Sequence, residues 1–169
     1  MATQDLLTYK CKSLGYAEVG AGAEASYTPL MGVLEGLSIS QETASESAIN
    51  GEFYDTPLDS VGTLGSYKIE FDLVKYKPEE IVAMEGGEFT AATGLYTMPF
   101  SFTNVYKKFK LEFYNGIDYI VIYKGKVATN WNGTDLKTAP LKLHIAITAL
   151  VDNDGKTVEM KMAEPSVGG

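Results

Sequence analysis

The chain has 169 residues, 45% of them apolar and 21% charged, which fits one folded domain with a real core and excludes a disordered chain. Twenty-two acidic residues outnumber fourteen basic ones, giving a net charge of −8, and every basic residue is a lysine. Without arginine there is no fork-shaped donor for bidentate recognition of phosphate or guanine, so tight nucleic-acid binding is not expected, and no apolar run is long enough to span a bilayer.

Residues 8–16 read as a first strand interrupted by lysines, and residues 17–27 (AEVGAGAEASY) as a loop of small side chains. The glycines of that loop lack the third glycine and the parallel βαβ setting of a dinucleotide-binding turn. Residues 31–42 form the next expected strand, in which Leu37 and Ile39 alternate with Ser38, Ser40 and Glu42. The apolar pattern then stops for about twenty residues, too long for an ordinary hairpin loop. In this arm, residues 40–64, the acids Glu42, Glu46, Glu52, Asp55 and Asp59 gather around Phe53 and Tyr54. Long loops in compact domains are usually functional or ordered by a partner, and paired aromatics suit the anchor of an interface. The strand at 67–75 follows, with Ile69, Phe71 and Leu73 alternating against Lys68, Glu70 and Asp72, so that one face meets a core and the other water.

Residues 77–87 (KPEEIVAMEGG) carry the helix signal: Pro78 in the first turn, Glu79 and Glu80 at the positive end of the dipole, and a double glycine as the stop. Its apolar side chains Ile81, Val82 and Met84 are expected to seal one end or face of a β core. Beyond it lie a Gly-containing turn and a strand at 97–102, then residues 107–114, where Phe109, Leu111 and Phe113 alternate with Lys108, Lys110 and Glu112. Asn115-Gly116 marks a hairpin into a strand at 117–127. A polar loop around Trp131 is expected at 130–138, where Asn132-Gly133-Thr134 reads as a turn in a chain whose first residues lack a secretion signal. The last long strand, 141–151, puts Leu143, Ile145, Ile147 and Ala149 on one side, and a short strand ends near Met162. The expected fold is mainly β: a sandwich or partly closed barrel of about seven or eight strands with one short helix and a long arm. A single domain over residues 1–164 and a flexible tail at 165–169 are expected.

Chemistry is sparse. Cys11 is the only cysteine and His144 the only histidine, which leaves no disulfide framework and little room for a nucleophile-histidine pair or a zinc site. Glu70 and Asp72 share a strand face and could approach as an acid–base pair, yet exposed strand charge is the simpler reading. The carboxylates of the arm lack the order of an EF-hand. The eleven tyrosines are spread along the chain and carry only a weak signal for a stacking surface. No enzyme, cofactor or metal is expected.

The succession of a GLSIS strand, an acidic arm with Phe53-Tyr54-Asp55, a strand opening on Gly65-Ser66-Tyr67 and the segment KPEEI resembles the major tail tube protein of long-tailed bacteriophages. The likeness continues through residues 107–151, which read as the closing strands of the same domain. The resemblance implies subunit rings, commonly hexameric, whose sheets join edge to edge into an inner barrel and stack into a tube for DNA passage. It implies self-association and contact with other tail proteins, and a virion tail assembled in the host cytoplasm. It also implies that Glu42, Glu46, Glu52, Phe53, Tyr54 and Asp55 reach a neighbouring subunit, and that Glu70 and Asp72 face the lumen. An acidic wall repels phosphate and lets DNA slide. The alternatives are a contractile injection-system tube and a monomeric β-sandwich module that binds carbohydrate or acts as an adhesin.

Overall fold

In the computed structural model of the chain, residues 10–21, 26–49, 59–101, 104–114 and 117–162 are described. Among them the element order is β1 (Cys11–Ala17), β2 (Thr28–Pro29), β3 (Val33–Gln41), β4 (Ser45–Ile49), β5 (Asp59–Thr63), β6 (Tyr67–Lys75), α1 (Pro78–Glu85), β7 (Glu88–Thr90), β8 (Leu95–Thr97), β9 (Val105–Phe113), β10 (Ile117–Asn132), β11 (Lys142–Leu150) and β12 (Val158–Met162). Eight strands form one antiparallel sheet in the order β2-β1-β9-β10-β11-β6-β3, with β12 also paired to β10. The pairs β4-β5 and β7-β8 stand apart as two small sheets.

The long strand β10 turns this single sheet into a sandwich-like body. Its residues from Ile117 to Ile122 pair with β12, and those from Lys124 to Asn132 pair with β11. Between the two stretches its register with β9 breaks, from Ile122 to Gly125. Such a bulge lets a strand pass from one layer to the other. A side chain cannot stand at Gly125, where a Cβ would lie 2.6 Å from Ile147 Cγ2 and 2.8 Å from the Phe109 ring. Phe109, Leu111, Ile122 and Leu14 face inward from one layer, while Ile69, Phe71, Leu73, Leu143, Ile145 and Ile147 face inward from the other. All are essentially buried, as two alternating faces pressed together require. The sheet does not close into a barrel: β3 and β2 are its two ends.

Helix α1 closes one end of the core. Ile81 and Met84 are buried there, and Val82 is half-buried. Glu80 is buried too, and its carboxylate accepts hydrogen bonds from the backbone N–H groups of Met31, Gly32 (3.1 Å) and Lys77 (3.1 Å). One side chain thus ties the helix start to the entry of β3. At the same end Tyr76 and Trp131 meet edge to face at 5.5 Å, and the Trp131 indole N–H donates to Glu85 at 3.1 Å.

Three expectations need correction. The strand expected at 97–102 stops at Thr97, because it belongs to the small β7-β8 hairpin and Pro99 lacks the N–H to continue a ladder. The loop expected to begin at 130 begins after Asn132, since Trp131 stays in register with Leu143 and packs on Tyr76. The arm begins as a β-hairpin stem and not as irregular chain, because Ser45 to Ile49 pair rung by rung with Thr63 to Asp59. The Asn115-Gly116 turn lies outside the described residues, and the strands flanking it pair as a hairpin.

Candidate functional site: an uncovered sheet face and its arm

Four neighbouring strands, β3, β6, β11 and the second half of β10, turn one face to the core and the other outward. No element among the described residues packs across the outward face. Register sets its rows. Asp72 lies opposite Glu35 on one side and His144 on the other, and His144 lies opposite Asn130. Glu70 lies between Ser38 and Ala146, the latter opposite Ala128. The face is therefore built from small and polar side chains. Glu70 and Asp72 both stand on it, half-buried, as the alternation in their strand predicts.

Its charge is largely paired, which the sequence did not disclose. His144 Nδ1 lies 2.7 Å from Asp72 Oδ1, and Lys142 Nζ donates to Glu35 at 2.6 Å. The Lys142 ammonium is held above its ordinary pKa chiefly by that bond to Glu35. Glu70 has no cation within ion-pair distance among the described residues. On this face Glu35 is thus offset by an ammonium, and Asp72 meets an imidazole.

The arm springs from the end of this face, between β3 and β6. At its base the Glu42 N–H donates to the Ser66 carbonyl at 3.0 Å, Ser66 Oγ donates to Glu42 Oε2 at 2.9 Å, and Lys68 Nζ stands 2.9 Å from Glu42 Oε1. The bond from Lys68, and then that from Ser66, holds the Glu42 carboxyl below the usual range. Gly65 lets the two chains meet, since a Cβ there would lie 1.8 Å from the Glu42 carbonyl oxygen. Beyond the base the stem is bare: every residue from Ser45 to Ile49, Glu46 included, is exposed. Glu52, Phe53, Tyr54 and Asp55 lie outside the described residues.

A second cluster escaped sequence reasoning because its members are far apart in the chain. On the outer side of the other layer, Tyr27, Tyr119 and Tyr123 surround Lys108 and Lys110, with ammonium-to-ring distances from 4.8 to 5.9 Å. Lys108 Nζ also donates to the Ala21 carbonyl at 3.2 Å, which accounts for its burial. Tyr123 donates to Glu159 at 2.8 Å, and that bond, with burial, pushes its pKa up to about 12. The alternation of Lys108 and Lys110 against Tyr119 and Tyr123 was the one available signal.

Among the described residues no three histidine, cysteine or acidic side chains come together as a metal site, and His144 and Asp72 stand paired on an open sheet face. No helix among them is long and apolar enough to cross a membrane. No protein-family model matches the chain, and no curated protein matches it.

Proposed function

We propose that the chain is the subunit of a tube like that of a long-tailed phage, a conduit through which DNA passes without being bound. The observation that carries this reading is the uncovered four-stranded face that ends at β3, an edge strand with a ladder on one side only among the described residues. An open edge is a template for pairing with another chain, and rings of joined sheets satisfy it without leaving ends. The arm leaves from that same strand and projects its bare stem away from the body, as a segment that reaches a neighbour must. The outward face supplies the wall: Ser38, Ala128 and Ala146 are small, the ammonium groups of Lys142 and Lys68 are paired with Glu35 and Glu42, and Glu70 repels phosphate. Negative-stain electron microscopy of the concentrated protein across a range of salt tests the reading. Rings or hollow tubes are the expected result. Dispersed monomers at every concentration, even with preformed tube ends added as seeds, would sink it.

A further inference from the structure

Three openings adjoin along the outer side of β1, β9, β10 and β12. Tyr27 and Lys110 stand between the first, of about 380 Å³, and the second, of about 140 Å³, while Lys108 and Tyr123 stand between the second and a third of about 140 Å³. Together they make one trough. At its middle Lys108 is 3% exposed, its ammonium spends one N–H on the Ala21 carbonyl at 3.2 Å, and the centre of the Tyr123 ring lies 4.9 Å away. No carboxylate among the described residues lies within ion-pair distance of it. A buried lysine is as a rule held by a carboxylate, and among the described residues this one lacks that counter-charge. The acids of the trough are engaged elsewhere. Glu112 accepts from Ser13 at 3.0 Å and pairs with Lys110 at 3.2 Å, Glu159 accepts from the Tyr123 hydroxyl, and Asp152 accepts from the backbone N–H groups of Asp154 and Lys156.

We infer that the trough binds an acidic sugar, whose carboxylate meets the Lys108 ammonium. A bare inorganic anion would find Glu159 and Asp152 close by with nothing to offset them, whereas a sugar brings hydroxyl donors that those acceptors take up. Tyr27, Tyr119 and Tyr123 add amphipathic bodies, apolar along the ring and polar at the hydroxyl. The same carboxylates, in a chain without arginine, turn away the phosphates of a nucleic acid. Beyond Tyr27 the trough continues to Ser13 and Glu112, which gives room for a second sugar unit, so the ligand is a short chain and not a single ring. The trough lies on the opposite side of the sandwich from the uncovered face, so its ligand and the tube stand or fall separately.

Isothermal titration calorimetry of the full chain with trisaccharides of galacturonate, glucuronate and mannuronate, and with neutral galactotriose, is the test. At least one uronate is expected to bind about tenfold or more tightly than the neutral sugar, and Lys108→Met, which keeps the length of the stem, is expected to remove that preference. Failure of all three uronates to bind would overturn the inference. So would a preference that survives in Lys108→Met, or equal competition by acetate at the same concentration, which would leave a bare anion site. Should the variant lose its fold, amide shift mapping of the native chain with the best uronate decides. Shifts at Tyr27, Lys108, Tyr119 and Tyr123 uphold the site, and shifts confined to other residues reject it.

Discussion

Three backbone N–H groups, those of Met31, Gly32 and Lys77, converge on the carboxylate of Glu80, a residue that the helix signal alone assigned to the solvated first turn. Replacing it by alanine strands buried donors, and the expected cost is about 3 kcal/mol in urea unfolding, with Glu80→Gln recovering part of it. Gly125→Ala is expected to cost about 1–3 kcal/mol in the same measurement, because Ile147 and Phe109 already occupy the space. Tyr123 gives a pH test. Its folded pKa is raised, so the stability from its bond to Glu159 is fully present below the unfolded value of about 10 and is lost as pH rises through about 12. Absorbance titration should show one tyrosine fewer ionising late in a Tyr123→Phe variant, and an unchanged titration would contradict the assignment.

At the scale of elements, the arm base titrates with the opposite sign. The Glu42 carboxyl is depressed in the fold, so its tie to Lys68 and Ser66 is present above the ordinary carboxylate range and lost as pH falls through the lowered value. Protection of the Glu42 amide against exchange should therefore fall as pH drops through the lowered value, before the core opens. Replacing residues 45–63 by a short Gly-Ser link should leave the melting temperature within a few degrees, because the stem pairs only with itself, and should abolish ring stacking if the arm joins neighbours. The strands with strict alternation, β6 and β11, were legible residue by residue, since a period of two has one reading when one face is buried. The helix was legible from Pro78 and the double glycine. The full length of β10 was not, because Asn130, Trp131 and Asn132 are polar or amphipathic in sequence, and that end is held as a strand by its ladder with β11 and by the contacts of Trp131 with Tyr76 and Glu85. The tyrosine cluster was hidden for a similar reason: residues distant in the chain meet by sheet order, which local pattern does not encode.

At the scale of the whole molecule, the tube reading turns on one face and one edge. A Glu70→Lys, Asp72→Lys chain is expected to assemble and to release DNA slowly, because cations on the wall attract phosphate and the attraction weakens with salt. Normal release at low salt would remove these residues from the lumen. The two layers of this sandwich are one continuous sheet, since β10 runs through both and β9 keeps pairing with it on either side of the break at Gly125. In a sandwich whose layers meet only through side chains, a load along one layer is resisted by slippage of greasy surfaces. Here a load between β3 and β12 crosses four hydrogen-bonded ladders in series, with the unbroken backbone of β10 bridging the layers, so a pulling experiment on β3 against β12 should record parting of ladders and no sliding of one layer over the other.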